Sequence, residues 1–175
     1  MLSDNLVRSV ERHADRLEKQ WARMIQEHPA TTSYHDLDDE ELEGTIREVY
    51  RHLGEYIEES HNSDQMAQLF INIGIQRRKQ GVPVHELVFA INLARRNILN
   101  YIMEEETVLS ALAWHQVNEF WYRIMSFFDE NIYFVLLGYN QDVDDTRHMT
   151  DQISKFINAF TLGALPEVEK EYYSH

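Results

Sequence analysis

The chain has 175 residues and no cysteine, and its 16 Lys and Arg residues against 30 Asp and Glu residues give a formal net charge of −14. This length predicts a single domain, since a chain of this size buries roughly 70% of its extended surface on folding. The absence of cysteine excludes disulfides and thiolate sites, and the acidic balance argues against nucleic acid and anionic membranes as partners.

The first predicted helix carries apolar residues at steps of three and four, which places them on one face. It ends near His28, because Pro29 disfavours helical geometry in the residue before it. A polar loop over residues 31–35 follows. The apolar positions are Leu6, Val10, Ala14, Leu17, Trp21 and Ile25.

The second helix has a recognisable start, with Asp38 as N-cap and Glu41 three residues later, which is the spacing of a capping box. A narrow apolar stripe predicts that one face packs and the rest is solvated. Residues 60–64 interrupt the pattern. The stripe consists of Leu42, Ile46, Val49, Leu53 and Ile57.

Much of the acid lies in this second helix and just before it. Residues 36–59 contain ten acidic residues against Arg47 and Arg51, a local net charge of −8. Such a segment is typical of a solvated helix face that keeps a protein in solution. The alternative is an acidic docking face for a basic partner.

Two further helices are predicted on either side of Gly81, over about residues 65–79 and 84–104. Glycine adopts the left-handed conformation that ends many helices, so Gly81 marks the end of the first of them. Pro83 fits the first turn of the next helix, and Glu86 lies near its positive end. These features predict a helical hairpin.

The fifth predicted helix, about residues 111–139, has the densest aromatic content of the chain. At 1.5 Å per residue it is about 45 Å long, whereas a compact domain of this size is only about 40 Å across. Either the helix bends near Gly138 or its end projects. An apolar ridge that exceeds its own core favours a second subunit, so we expect a homodimer. The expected dimer surface is Trp121, Phe128, Phe134 and Tyr139.

A last amphipathic stretch, Ile153 to Phe160, precedes the C-terminal tail. We therefore expect residues 1–145 to form a helical domain, and residues 146–175 to add a C-terminal helix and tail to it. With only 6 Gly and 3 Pro and no repeat, the pattern predicts an all-α fold. Five or six helices joined by short loops form a bundle or a globin-like packing.

The nine histidines raise the question of metal or haem. A di-iron bundle needs two Glu-x-x-His pairs, and the chain offers one, Glu58 with His61, so no metal site is predicted. Haem needs an axial imidazole in an apolar pocket, for which His85 and His115 are weak candidates with a structural role as the alternative. With no nucleophile elbow, P-loop or dinucleotide fingerprint, no catalytic residue is predicted.

Four polar residues, Arg77, Asn92, Arg95 and Asp129, occur among apolar neighbours on the predicted helices. A buried charge without a partner costs several kcal/mol, roughly. One interpretation is that the arginines extend to the surface and the aspartate faces water. The other is a contact between an arginine and Asp129 that joins the fifth helix to the third or fourth.

Residues 77–88 read RRKQGVPVHELV, and this segment resembles the N-terminal domain of RsbRD-type proteins, the co-antagonists of the stress-response kinase RsbT. That family has an arginine, a short gap, a glycine, a small or proline turn, and Glu-Leu opening a helix. Trp21 before a proline-ended helix, and a late helix with Asp129 that closes near Tyr139, are also similar. The likeness covers about residues 5–140.

The resemblance implies a small helical or globin-like domain without an established cofactor, which lies upstream of signalling modules in bacterial regulators. Nothing after Tyr139 is long enough for an output domain, so we expect signalling through a partner or dimer geometry, or a chain that is a fragment. Residues 1–5 lack the features of a signal peptide, which predicts a cytoplasmic protein. We expect a non-enzymatic sensory domain that binds a signalling protein or a small ligand, with a haem-based gas or redox sensor as the alternative.

Overall fold

The computed structural model describes residues 2–58, 63–104, 114–141 and 153. Within these ranges the chain forms six α-helices and no strand, which confirms the all-α prediction. No helix there is long and apolar enough to cross a membrane. The elements are α1 (Leu2–Arg12), α2 (Ala14–Glu27), a 3-10 turn (Thr32–Tyr34), α3 (Asp39–Glu58), α4 (Ser63–Lys79), α5 (Val84–Glu104) and α6 (Trp114–Asn140).

Met1–Asn140 form one compact unit, and the fold described below is that of this unit. Of the second unit, Gln141–His175, the structure describes only residues 141 and 153. The predicted C-terminal helix after Ile153, and its assignment to the same domain, therefore lie outside the described residues.

The first predicted helix is divided at His13 into α1 and α2. His13 has φ −108° and ψ 15°, which departs from helical geometry. The His13 amide donates to the Ser9 carbonyl at 3.2 Å at the end of α1, and the Leu17 amide donates to the His13 carbonyl at 2.9 Å at the start of α2. All six predicted apolar positions of this segment are buried, so the predicted face is confirmed.

Helix α3 begins as its N-cap predicted, with the Asp38 carboxylate accepting a hydrogen bond from the Glu40 amide at 3.1 Å. The side chain of Glu41, the predicted partner in the capping box, lies outside the described residues. The buried face of α3 packs on α1 and α2. It includes Tyr50, so it is wider than the predicted stripe.

Helices α4 and α6 make the most extensive contact of any helix pair in the described part of the chain. A Cβ atom built on Gly74 of α4 would overlap the Val135 carbonyl oxygen and lie 2.8 Å from the Tyr139 amide nitrogen. One built on Gly138 of α6 would overlap the Ile71 carbonyl oxygen. Because glycine has no Cβ, the two backbones touch directly. Helix α6 continues through Gly138, whose role is this close approach.

Four aromatic residues of α6 lie in the core, because α4 and α5 both pack against this helix, and these are Phe120, Phe127, Phe128 and Phe134. Phe127 meets Phe70 and Phe128 edge to face, with ring centroids 5.9 and 5.2 Å apart, a favoured geometry for aromatic pairs. Phe128 and Phe134, placed by the sequence on a dimer surface, are 1% and 4% exposed. That placement is corrected: the single chain already buries them. The other two residues of that surface, Trp121 and Tyr139, are partly buried.

Candidate functional site

The turn between α4 and α5 is a Schellman motif centred on Gly81. Gly81 has φ +76°, the left-handed conformation that the sequence predicted. The Val82 amide donates to the Arg77 carbonyl and the Gly81 amide to the Arg78 carbonyl, both at 3.0 Å, which is the hydrogen-bond pattern of this motif. The Pro83 carbonyl then accepts the first hydrogen bonds of α5. The hairpin is therefore built by local rules.

Glu86 in the first turn of α5 is buried and binds the loop before α3. Its carboxylate accepts hydrogen bonds from the Ser33 amide (2.8 Å), the Ser33 hydroxyl (2.6 Å) and the Thr32 hydroxyl (3.3 Å). Burial raises the pKa of Glu86, but these hydrogen bonds outweigh burial and leave the pKa below its usual value. The ionised carboxylate of Glu86 therefore binds the 3-10 turn to the start of α5, and we call this contact the Glu86 latch.

Arg77 near the end of α4 is 2% exposed and does not reach the surface, contrary to one of the two interpretations of the sequence. Its guanidinium carbon lies 5.6 Å from the centre of the Tyr34 ring, within the range of a cation–π contact. It also donates to the Gln80 side chain at 2.7 Å and to the Thr45 hydroxyl at 3.5 Å. Burial raises the pKa of Tyr34, an effect that Arg77 partly offsets.

Tyr139 brings the end of α6 to the same place. Its hydroxyl donates to the Val82 carbonyl at 2.8 Å, and its own carbonyl accepts a hydrogen bond from Arg78 at 3.1 Å. We call Tyr34, Arg77, Glu86 and Tyr139 the polar junction. It joins the loop before α3, the α4–α5 turn and the C-terminal end of α6, which are far apart in sequence.

A cavity of about 30 Å³ borders the polar junction. Arg77, Tyr34 and Thr45 contribute its polar edge, and the rest of its wall is largely apolar. The Trp21 indole lines it and donates to the Ala90 carbonyl at 2.9 Å. A buried water needs roughly 10–15 Å³ of such volume, so this cavity has room for about two water-sized molecules.

Arg95 and Asp129, two of the predicted candidates, form an ion pair between α5 and α6 at 2.9 Å. The contact lies away from the buried core, with the Asp129 side chain 63% exposed. The second interpretation of these charges is therefore the one observed, although the aspartate also faces water. Asn92 donates to the Val88 carbonyl of its own helix at 3.1 Å.

Of the two histidine candidates for haem, His85 does not line the cavity. His85 is exposed in the first turn of α5, and the side chain of His115 lies outside the described residues. Among the residues that the structure describes, no group of three His, Asp or Glu side chains is placed to hold a metal ion.

Two buried residues with polar contacts, Tyr34 and Glu18, were not predicted from the sequence. Tyr34 was included in a polar loop, although it is the only aromatic residue there and is buried. Glu18 is 0% exposed and accepts hydrogen bonds from Arg47 at 2.7 and 2.5 Å. Glu18 lies four residues after Ala14, three before Trp21 and seven before Ile25, so the sequence places it on the apolar face of the helix. An acid at such a position must be paired.

A family model described as RsbT co-antagonist protein rsbRD N-terminal domain matches residues 15–152, which is more than half of the chain. The matched region includes the whole polar junction. Neither a curated protein nor a solved structure matches the chain.

Proposed function

The chain belongs to the family of the RsbT co-antagonist protein rsbRD N-terminal domain, and from this membership we propose that it is a non-enzymatic regulatory domain that binds a signalling protein. The family is a stress-signalling one, associated with partner switching. The observation that carries the proposal is the polar junction, because it links the family-like segment over residues 77–88 to the end of α6.

The proposed mechanism is a shift between two arrangements of the polar junction. A partner changes such an equilibrium only through a difference in its affinity for the two states. Release of Glu86 from Ser33 would free the loop before α3, and loss of the Tyr139 hydrogen bond would release the α4–α5 turn from the end of α6. A change on one side of the domain could thereby reach the other side.

The contacts of the polar junction suit an adjustable element. They are hydrogen bonds and a cation–π contact, and the neighbouring cavity leaves space into which side chains can move. Close-packed apolar contacts, in contrast, resist small displacements. This combination supports the junction as the element on which a partner acts.

The test uses a purified kinase of the RsbT class and biolayer interferometry on the full chain. Tyr139→Phe removes only the hydroxyl that binds the Val82 carbonyl, and we expect it to change the affinity for the kinase while the helical circular dichroism is kept. Tyr133→Phe on the same helix is the matched control, since Tyr133 is exposed. A wild-type chain that does not bind the kinase, or equal affinities for both variants, would contradict the proposal.

We further propose that the domain is a homodimer, with α6 at the interface. The support is the exposure of two large side chains on this helix, Tyr122 and Met125, of which Tyr122 is 67% exposed. Light scattering should give twice the chain mass of 20.9 kDa. Tyr122→Glu should halve that mass, whereas Met103→Glu at an exposed site of α5 should not. A wild-type monomer at micromolar concentration would refute the dimer.

The proposed function needs no cofactor, in contrast to the haem-sensor alternative. No described feature favours haem, since His85 is exposed and the cavity is small. An absorbance spectrum of protein purified from a haem-replete culture separates the two. A spectrum without absorption bands above about 300 nm agrees with the regulatory domain. A Soret band, which bound haem produces, would favour the sensor with an axial histidine ligand.

A further inference from the structure

Helices α1 and α2 carry a row of five exposed cations, Arg8, Arg12, Arg16, Lys19 and Arg23. On a regular helix, at roughly 100° per residue, a spacing of four, four, three and four residues places side chains within a sector of about 80°. The row is about 22 Å long, because each residue adds about 1.5 Å. We call it the cationic stripe.

The stripe faces solvent on both sides of the break at His13. Val10 of α1 and Leu17 of α2, which lie on the opposite face from the stripe, are both buried in the core. Arg12 donates to the Arg8 carbonyl at 3.1 Å, and the Arg16 guanidinium lies 6.0 Å from the centre of the Tyr101 ring. Two cations of the stripe thus have defined contacts along the surface.

No carboxylate of the described residues forms an ion pair with a cation of the stripe. The ion pairs in that part of the chain use Arg47, Arg51, Arg95 and Arg123, and none of the five stripe cations. The chain as a whole has a net charge of −14, yet five of its cations stand together on one face. Such a local field steers an oppositely charged partner to one orientation.

We propose that the cationic stripe binds an acidic helix of a partner protein. A helix with Glu or Asp at every third or fourth position presents carboxylates in a row about 5–6 Å apart, which is the spacing of the stripe. The inference rests on the proposed function, for which it supplies the contact surface and the chemistry of the partner.

The shape of the stripe selects a helix over a membrane or nucleic acid. Glu11 and Asp15 are exposed beside it, so a broad anionic surface would meet these acids as well as the cations. A membrane-bound helix inserts its apolar face, whereas Leu17 and Trp21 on that face are buried in the domain's own core. Trp21 is also the one indole of these two helices, so none is left for the stacking by which single-stranded nucleic acid binds.

The test measures binding of a fluorescent helical peptide by anisotropy at about 0.1 M ionic strength, where the screening length is about 10 Å. The peptide has about 16 residues with glutamate at every third or fourth position, so that as a helix it spans about 24 Å. A peptide of the same composition in scrambled order controls for charge alone. We expect the patterned peptide to bind and added salt to weaken the binding.

Two double variants of equal charge locate the contact. Lys19→Gln with Arg23→Gln removes two cations of the stripe, and Lys79→Gln with Arg96→Gln removes two exposed cations elsewhere. Exposed charge pairs contribute roughly 0.2–1 kcal/mol each, so the first variant should bind about fivefold more weakly. The second should stay within about twofold of the wild type, since it lacks close contact with the peptide.

Three results would overturn the inference: no binding of the patterned peptide, equal weakening in both double variants, or tighter stripe-dependent binding to duplex DNA or to phosphatidylserine vesicles than to the peptide. The stripe and the polar junction are probed separately. If the stripe variants bind normally while Tyr139→Phe alters kinase binding, the contact surface is wrong and the proposed function stands. If the wild-type chain binds the peptide but not the kinase, the proposed function fails alone.

Discussion

The helix pairs α4–α6 and α2–α3 are joined in opposite ways. Between α4 and α6, Gly74 and Gly138 bring backbone against backbone, with no room for one more carbon atom. Between α2 and α3, Arg47 reaches across to the buried carboxylate of Glu18 through two hydrogen bonds. One contact depends on the absence of side chains and the other on a specific pair of them.

The difference bears on which parts of the domain can move. A backbone contact without spare volume permits one arrangement, because interiors are close-packed and shifts propagate. Hydrogen-bonded contacts can exchange partners at lower cost, provided that water or another group replaces them. The polar junction belongs to the second kind, and the helix pair α4–α6 provides a rigid base for it.

The largest expected effect comes from breaking the α2–α3 contact. Arg47→Met leaves the Glu18 carboxylate buried without this partner, so the free energy of unfolding should fall by about 3 kcal/mol or more. Urea titration measures the loss. Adding Glu18→Gln should recover part of it, because the stranded charge is then gone. If Arg47→Met with Glu18→Gln is as unstable as Arg47→Met alone, the loss of stability does not come from the unpaired charge of Glu18.

Closing the space between α4 and α6 should have the next largest effect. Gly138→Ala places a Cβ on the Ile71 carbonyl, and overpacking of this kind costs about 2–3 kcal/mol. Gly44→Ala is the control, since a Cβ at that position in α3 meets no atom within 4 Å; it should leave stability unchanged or raise it by up to about 1 kcal/mol. If thermal unfolding gives Gly138→Ala and Gly44→Ala the same stability, the backbone contact between Gly138 and Ile71 is ruled out.

The Glu86 latch should contribute less than either contact, and its contribution should depend on pH. Glu86→Gln weakens hydrogen bonds to a charged acceptor, so we expect a loss of about 1.5 kcal/mol at pH 7. The folded pKa lies below the ordinary 4.5. The ionised carboxylate therefore adds stability above pH 4.5, and that stability is lost as the pH falls through the folded pKa.

Urea titrations of wild type and Glu86→Gln at several pH values test this latch. The difference in stability between them should shrink below pH 4.5, the ordinary value for this group. Glu104→Gln at an exposed position of α5 should give no comparable pH dependence. If the difference in stability stays constant as the pH falls below 4.5, the effect of Glu86→Gln comes from packing and not from the charge of the carboxylate.

The smallest effect is expected for the ion pair between α5 and α6. Asp129→Asn should cost no more than about 0.5 kcal/mol, because Asp129 is largely exposed and surface pairs contribute little. Adding salt should reduce the difference in stability between the wild type and Asp129→Asn, because salt screens exposed charge pairs. A loss above about 2 kcal/mol would contradict this prediction, because exposed ion pairs contribute much less than buried ones.

Local features of the chain were predictable in detail. The range of α5, residues 84–104, was predicted from Pro83 and the apolar pattern, and the structure gives Val84–Glu104. The left-handed Gly81 and the Asp38 cap also agree with prediction. Each depends on residues within a few positions of itself.

Other features depended on how the helices meet. The five stripe cations were overlooked because they are scattered in sequence, and they form a row only when α1 and α2 are wound and one face of each is buried. The pairing of Glu18 with Arg47, and the polar junction of Tyr34 with Arg77, join segments separated by a loop and by a helix.

The sequence alone determined most of the helices and their main apolar faces, since backbone conformation and periodicity are set within a turn or two of helix, but it did not predict the break between α1 and α2 at His13. The tertiary structure decided which aromatic residues of α6 are inside and which charges find partners. Phe128 looked like surface beside Trp121 and became core because α4 and α5 both cover that helix. Burial depends on the neighbours that a helix acquires in the fold, and one helix's own pattern does not specify them.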